Sequence, residues 1–205
     1  MGNSMRVLVL SPHGDLISDT IEAADGVYDW RSPDCEVSDW PDSDWVVSFG
    51  YRKIIPHHTI ERFQGQIINI HGSLLPHNKG ADPNFWSWFD DTPKGVTIHR
   101  VTDAIDGGEH LAQIELSRLD FRAVDGNFTL RTTYDDLLVA ASGLFARQWP
   151  NIIKGEISER GKAGSKGSYH RSTDKDKFMR LLTNQWHTPV NEVEELGRIY
   201  RGDHD

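Results

Sequence analysis

An asparagine and a histidine stand two positions apart in an apolar segment, IINIH, residues 67–71. Alternate side chains of a β-strand point to the same face, so Asn69 and His71 are predicted to share one face. An amide N–H stabilises a developing oxyanion, and an imidazole transfers protons near neutral pH. The pair therefore fits a reaction that passes through a tetrahedral intermediate.

An acid that orients the imidazole is expected to accompany this pair. The segment VTDAIDGGEH, residues 101–110, supplies Asp103 and Asp106, and Asp106 follows Asn69 by 37 positions. Two glycines come after Asp106, and they allow the backbone to approach a ligand closely. An isolated Asn-x-His is more typical of an ordinary strand, so the interpretation depends on the motifs occurring together.

The elements that must position these residues follow an α/β pattern. Apolar or alternating runs predict five strands, residues 5–11, 45–50, 67–70, 94–102 and 111–117. Helical spacing predicts helices at residues 15–25, 132–149, 173–184 and 191–200, and residues 56–64 are expected to form a short helix or a turn. Pro150 is expected to end the helix at residues 132–149, and residues 26–44 are expected to form turns.

This order predicts an α/β fold, with a mostly parallel sheet flanked by helices and a short helical C-terminal extension. We expect a catalytic domain at residues 1–154 and the extension at residues 155–205. Polar groups at the carboxyl end of a central strand match the usual site location in such sheets.

Composition narrows the function classes. The chain has 205 residues, a net charge of -9 and one cysteine, Cys35. The acidic balance disfavours a nucleic-acid partner held through phosphates, and one cysteine excludes a disulfide framework. A cytoplasmic location is the default expectation. No apolar run reaches the about 18 residues that predict a membrane span, and no secretory signal is recognised.

The motifs taken together resemble the folate-dependent formyltransferases, which include the glycinamide ribonucleotide, methionyl-tRNA and sugar-nucleotide enzymes. The resemblance rests on SFGYRKIIP, INIHGSLLP and KGVTIHRVTDAIDGGEHLAQ, in that order. The family pattern N-x-H-x-S-x-x-P matches Asn69, His71, Ser73 and Pro76, and V-T-x-x-x-D-x-G places Asp106. The resemblance implies formyl transfer from 10-formyltetrahydrofolate to an amine, without a metal.

The resemblance also implies that the α/β fold is an abbreviated Rossmann-like fold, with a catalytic domain shortened in its N-terminal half, and it implies roles for individual residues. Asn69 and His71 would bind the oxyanion, and either His71 or a water held by Asp106 would move the amine proton; the formal base stays open. The implied folate-binding residues are Phe49, Tyr51, Ile54, Val101, Thr102, Asp103 and Gly107.

The loop LLPHNKGADPNFW and the tail GSYHRSTDKDKFMRLL resemble those of the sugar-nucleotide N-formyltransferases. The implied acceptor is a dTDP- or UDP-linked aminosugar, and a homodimer is common among such enzymes. The implied acceptor-binding residues are Ser73, Lys79, Gly80, Asp82, Pro83, Trp86, Tyr169 and Arg171. Lys162, Lys166 and His170 in the tail loop could bind a diphosphate, or the loop could be a solvated basic turn.

Other functions fit the sequence less well. The acidic charge of the chain and the helical pattern of its tail disfavour methionyl-tRNA, and SPHGD at residues 11–15 is a poor phosphate loop for glycinamide ribonucleotide. No histidine spacing fits a zinc hydrolase. The presence of Asn69, His71 and Asp106 together disfavours a non-catalytic folate- or nucleotide-binding protein. Formylation of another small amine, such as glycinamide ribonucleotide, and hydrolysis of 10-formyltetrahydrofolate stay open.

Overall fold

A computed structural model describes residues 4–122, 128–157 and 167–202. The chain forms two compact units. The first unit comprises Met1–His71, Thr97–Gln113 and Ala141–Gly164. The second unit comprises Gly72–Val96, Ile114–Ala140 and Ser165–Asp205. The predicted domain division between residues 154 and 155 stays a prediction.

The first unit begins with a β-α-β unit. Strand β1, Met5–Leu10, is followed by helix α1, Asp15–Glu22, and by strand β2, Gly26–Arg31. Strand β1 pairs in parallel with β2. The expectation of turns was therefore wrong for residues 26–31. Strand β2 lies at the sheet edge with Val27 and Trp30 exposed, so it lacks the apolar run that marks the buried strands.

The sheet continues through β3, Trp45–Ser48, and β4, Ile67–His71, with helix α2, His57–Arg62, between them. Strands β6, Lys94–Arg100, and β7, His110–Leu116, complete it. The strand order among the described residues is β2-β1-β3-β4-β6-β7. Strands β1, β3 and β4 run parallel and β6 antiparallel to β4, which confirms the mostly parallel sheet.

The core of the first unit contains a cluster of fully buried side chains from three parallel strands. Its members include Leu8, Leu10, Val46 and Ile67, with Trp40 and Phe63 beside them. Burial of such apolar surface is the main stabilising contribution to the sheet. Ile67 is two positions before Asn69 on β4, so the cluster lies on the same face of this strand as Asn69, and its burial fixes the strand register.

Helix α4 covers Leu130–Lys154 and continues through Pro150, so the prediction that Pro150 ends it was wrong. Proline removes only one backbone hydrogen bond, close to the end of the helix. The extra turn buries Ile152, and Trp149 packs edge-on against Trp45 at 5.5 Å between ring centroids. Within the described ranges, neither α4 nor any other helix is long and apolar enough to cross a membrane.

The second unit contains short elements that the sequence patterns did not reveal. Strand β5, Lys79–Gly80, pairs in parallel with β8, Tyr169–His170, and helix α3 covers Pro83–Phe89. Two-residue strands show no periodicity. Helix α3 did carry a signal, because proline favours the first helical turn.

The C-terminal helical extension is confirmed. Helix α5 is limited to Asp176–Met179, whereas α6 covers Val190–Arg201, close to the predicted residues 191–200. Helices α3 and α6 approach closely at Gly197, where an added Cβ would stand 1.8 Å from the carbonyl oxygen of Phe89.

Candidate active site

Asn69, His71 and Asp106 meet inside the first unit. Strand β4 carries the first two residues, and both side chains reach the carboxylate of Asp106. The side chain of His71 is 7% exposed and that of Asp106 is 12% exposed. The three residues that the motifs singled out are therefore neighbours in space, and the shared face of Asn69 and His71 is confirmed. Their catalytic roles stay predictions.

The Asp106 carboxylate is held by a constrained turn. Asp106 has φ 45°, in the left-handed region that residues other than glycine seldom adopt. Two positions later the chain passes very close to β6, because a Cβ on Gly108 would stand 1.9 Å from the carbonyl oxygen of Arg100. Backbone strain of this kind concentrates at functional sites, where surrounding structure enforces it.

The contacts of Asp106 with the pair on β4 are long. Asn69 Nδ2 lies 3.4 Å from Asp106 Oδ1, and His71 Nδ1 lies 3.7 Å from Asp106 Oδ2. The second distance exceeds that of a hydrogen bond, so this contact is electrostatic. Catalytic hydrogen bonds are often long before substrate binds and shorten in the reacting complex.

Two further polar residues contact Asn69, and neither was identified from the sequence. Ser48, at the end of β3, donates its hydroxyl hydrogen to Asn69 Oδ1 at 2.7 Å. His99, on β6, places Nε2 at 3.2 Å from Asn69 Nδ2 and 3.3 Å from Asp106 Oδ1. Ser48 and His99 are the strand-register partners of Asn69 on either side. Only knowledge of the strand pairing would have revealed them.

The residues expected to bind folate fall into two groups. Phe49 is buried, and Tyr51 and Val101 pack partly buried against the core cluster. Ile54 is 74% exposed, and Thr102 and Asp103 are exposed as well. The exposed group, with Gly107, can meet a ligand directly, whereas the packed group would contribute an edge or backbone. Folate binding by all seven residues stays a prediction.

Two of the expected folate residues are held by specific contacts. The Tyr51 hydroxyl donates to the carbonyl oxygen of Cys35 at 2.9 Å, and burial raises the pKa of Tyr51 to about 12. Asp103 pairs with His57, with 2.8 Å between His57 Nδ1 and Asp103 Oδ2. These contacts connect Tyr51 to the segment that contains Cys35, and Asp103 to the first residue of α2.

The expected acceptor residues lie in the second unit. Ser73 is fully buried and donates to the carbonyl oxygen of His77 at 2.7 Å. Asp82 forms an ion pair with Lys175 and precedes Pro83, the first residue of α3. Ser73 therefore has a local structural contact, and Asp82 is already paired with a cation. Their predicted contact with the acceptor is not shown.

Strands β5 and β8 bring other expected acceptor residues together. Lys79 is in register with Tyr169, and Gly80 with His170. Tyr169 is 49% exposed, which leaves its ring open to a ligand. Arg171, immediately after β8, is exposed and its backbone N–H donates to Asp174.

Trp86 is 3% exposed and stacks on His170, with 3.9 Å between ring centroids and 6° between planes. Both residues line a cavity of about 280 Å³ together with Phe178 and Tyr200.

The predicted diphosphate cations Lys162 and Lys166 lie outside the described residues. In the part of the chain that the structure describes, no group of three or more His, Cys, Asp or Glu side chains could hold a metal ion.

The polar centre lies on a mostly parallel α/β sheet, and comparisons with known proteins identify the class of the protein. The formyl transferase family profile matches residues 37–122. The chain is similar to the formyltransferase PseJ from Anoxybacillus kamchatkensis, with 37% sequence identity. The crystal structure of PseJ is a complex with UDP-4,6-dideoxy-4-formamido-L-AltNAc and tetrahydrofolate. It aligns over 93% of this chain and 99% of its own, with a TM-score of 0.82.

The chain belongs to the formyltransferase family. It is also 29% identical, over 76% of its length, to the bifunctional polymyxin resistance protein ArnA of Wigglesworthia glossinidia brevipalpis. The chain spans only 22% of the length of that relative. A sugar N-formyltransferase from Shewanella sp FDAARGOS_354 has the same fold, with a TM-score of 0.69 at 20% identity over 98% of this chain and 90% of its own.

Proposed function

We propose that this chain transfers a formyl group from 10-formyltetrahydrofolate to the amino group of a nucleotide-linked aminosugar. The observation that carries the proposal is the meeting of Asn69, His71 and Asp106 in one largely buried polar centre. Further support comes from the similarity to PseJ, a formyltransferase whose crystal structure contains a UDP-linked formamido sugar and tetrahydrofolate, and which aligns over nearly its whole length.

The reaction follows from the donors in the centre. The neutral amine of the acceptor attacks the formyl carbon, and the carbonyl oxygen gains negative charge. An N–H of Asn69 and one of His71 donate to that oxyanion, in a site whose low exposure strengthens both interactions. The amine loses a proton, the bond from the formyl carbon to folate N10 breaks, and N10 takes up a proton.

Asp106 serves this sequence of steps through its charge. Its carboxylate faces both His71 and Asn69, so it favours the orientation in which each directs an N–H into the centre. Either His71 or a water held by Asp106 accepts the proton of the amine. The pH dependence of solvent isotope effects on the wild-type enzyme and on an Asp106 variant separates these two routes.

The two substrates would be bound by the two sets of residues predicted from the sequence, one set for the folate and one for the acceptor. The folate would lie against the loop of Thr102, Asp103 and Gly107. For the acceptor, Lys79 can pair with a phosphate and Tyr169 can stack against a base or sugar, because β5 and β8 hold them side by side. Asp82 is the weakest member of the acceptor set, since its carboxylate already pairs with Lys175.

The setting of the enzyme is part of the proposal. A single cysteine, Cys35, fits a reducing cytoplasmic compartment in which folate cofactors and nucleotide sugars are both available. A homodimer is proposed by analogy with the enzymes that the chain resembles. Light scattering of the purified protein at several concentrations measures its mass directly.

A panel of acceptors tests the proposed reaction. The full-length protein is incubated with 10-formyltetrahydrofolate and UDP- or dTDP-linked 3-amino and 4-amino sugars, glycinamide ribonucleotide, or no acceptor. We expect tetrahydrofolate release that depends on one class of aminosugar, with a formamido sugar detected by mass spectrometry. If only glycinamide ribonucleotide is formylated, it is the acceptor and the proposed aminosugar is wrong. If formate is released and no aminosugar suppresses its release, the protein is a hydrolase of 10-formyltetrahydrofolate and the proposed transfer is wrong.

A further inference from the structure

The amide of Asn69 can lie in two orientations that differ by exchange of its oxygen and nitrogen. Only the orientation that turns the nitrogen toward the reacting oxygen supplies a donor for the oxyanion. Asn69 is half-buried on β4, between the paired strands β3 and β6. The neighbours of this amide therefore decide whether the centre is ready for catalysis before substrate arrives.

Ser48 defines the oxygen end of the amide. Its hydroxyl lies 2.7 Å from Asn69 Oδ1, and Ser48 is opposite Asn69 in the parallel register of β3 and β4. Ser48 is only 5% exposed, so little water competes for this contact. A hydroxyl that donates to Oδ1 holds the amide oxygen on the β3 side.

His99 defines the nitrogen end. Its Nδ1 lies 2.9 Å from the carbonyl oxygen of Arg100, which can only accept, so Nδ1 carries the hydrogen in this contact. In the neutral ring the other nitrogen, Nε2, is then an acceptor, and it lies 3.2 Å from Asn69 Nδ2. This tautomer of His99 accepts an N–H from Asn69 and holds the nitrogen on the β6 side.

Asp106 favours the same orientation. Its Oδ1 lies 3.4 Å from Asn69 Nδ2 and 3.3 Å from His99 Nε2, so one amide N–H can be shared between two acceptors. A reversed amide would place its oxygen against the carboxylate, where two acceptors repel. A protonated Nε2 on His99 would instead donate to Asp106 and would meet the amide hydrogen of Asn69 head-on.

We propose that Ser48 and His99 are positioning residues that lock the Asn69 amide with its nitrogen toward the reacting oxygen, His99 acting as the neutral tautomer with hydrogen on Nδ1. One N–H of Asn69 is held by His99 and Asp106, and the second N–H of the same amide serves the oxyanion. The catalytic consequence rests on the proposed function. The arrangement itself concerns only the ground-state structure of the protein.

A double-mutant cycle tests whether Ser48 acts through Asn69. We expect Ser48→Ala to lower kcat about 10-fold or more, because slight misplacement of a catalytic group is costly. KM for both substrates should change less than about twofold. Ser48→Thr, which keeps a hydroxyl, should recover most of the kcat. In the Asn69→Ala background, Ser48→Ala should cause no further loss.

Two kinetic outcomes would overturn the positioning role. One is wild-type kcat in Ser48→Ala. The other is an equal loss of kcat from Ser48→Ala in both backgrounds, which a purely structural defect would produce. Circular dichroism and thermal unfolding of each variant show whether it is folded. If Ser48→Ala is not folded, Ser48→Cys, whose thiol is only a weak hydrogen-bond donor, replaces it in both backgrounds with the same expected outcomes.

Nitrogen-15 NMR of the substrate-free wild-type protein gives a readout that needs no acceptor. We expect the His99 ring to show a protonated Nδ1 and an unprotonated Nε2. A protonated Nε2 would overturn the proposal, since it could not accept from Asn69. The expected NMR pattern in a protein that formylates no aminosugar would reject the proposed function while leaving the positioning arrangement intact.

Discussion

The carboxylate of Asp106 lies 3.7 Å from the imidazole of His71, measured from Oδ2 to Nδ1, with both side chains largely buried. At that separation the two groups interact through charge without a formed hydrogen bond. Asp106 therefore acts on His71 through its negative charge. A substitution that removes only this charge tests the interaction.

Asp106→Asn keeps the size and shape of the side chain and removes its charge. We expect kcat for formyl transfer to fall about 10²–10⁴-fold with little change in KM, because the centre loses its means of orienting and moving protons. Steady-state kinetics with saturating 10-formyltetrahydrofolate measures this. The matched control is Asp42→Asn, since Asp42 is 81% exposed and pairs with Arg6 on the surface. Equal kcat in the two variants would remove Asp106 from the mechanism.

Lys79→Ala tests the acceptor side. Loss of a cation that pairs with a phosphate should raise KM for the nucleotide sugar about 10-fold, while KM for 10-formyltetrahydrofolate stays unchanged. Initial rates at varied concentrations of each substrate separate the two constants. Lys154→Ala, at the exposed end of α4, serves as the control for loss of a surface lysine. A rise in KM for the folate alone would move Lys79 to the other substrate.

Gly108→Ala tests the close passage that follows the Asp106 turn. The added Cβ would stand 1.9 Å from the carbonyl oxygen of Arg100, so the backbone must shift. We expect a loss of about 1–3 kcal/mol in the free energy of unfolding, measured by urea denaturation, together with reduced kcat because Asp106 moves.

The control for that substitution is Gly143→Ala within α4, where the nearest atom to the new Cβ is the flexible guanidinium of Arg147 at 3.4 Å. Alanine in a helix is favoured over glycine by about 0.5–1 kcal/mol, so this variant should gain stability. Wild-type stability in Gly108→Ala would show that the turn is not constrained by β6.

Tyr51 gives a prediction for alkaline pH. Its pKa rises from 10.0 to about 12, chiefly because of burial. The folded protein therefore keeps this phenolic proton while the unfolded chain loses it, and stability contributed by Tyr51 is present below pH 10 and is lost as pH rises from about 10 to 12.

Tyr51→Phe should accordingly show a shallower loss of stability over this window than the wild-type protein. Urea unfolding at several pH values, with tyrosinate absorbance recorded in parallel, measures both effects. Tyr200→Phe is the control, because Tyr200 is 61% exposed. The same pH slope in Tyr51→Phe and the wild-type protein would contradict burial of the Tyr51 hydroxyl.

The parts of the site that were predictable from the sequence are those encoded by local spacing. Asn69 and His71 share a face because of the two-residue period of a strand, and Asp106 follows from the family motif. Ser48 and His99 were missed because they reach Asn69 only through pairing of β3 and β6 with β4, and strand pairing is not a local property.

The fold shows the same division between local and long-range information. The buried strands β1, β3 and β4 were predictable from their apolar runs, whereas the exposed edge strand β2 resembled a series of turns. Pro150 was a misleading local signal, since burial of Ile152 extends α4 beyond it. For β2 and for the end of α4, long-range pairing and packing overrode the local preference.

The most direct test of the account compares the wild-type protein with His71→Ala and with His58→Ala, an exposed histidine, in single-turnover formyl transfer. Each protein is mixed with 10-formyltetrahydrofolate and the UDP- and dTDP-linked aminosugars, and the formamido sugar is quantified by mass spectrometry. The account predicts formation of this product by the wild-type protein and His58→Ala, with a rate lower by about 10²–10⁴-fold in His71→Ala. An equal rate in His71→Ala, or formate with no formamido sugar from the wild-type protein, would contradict it.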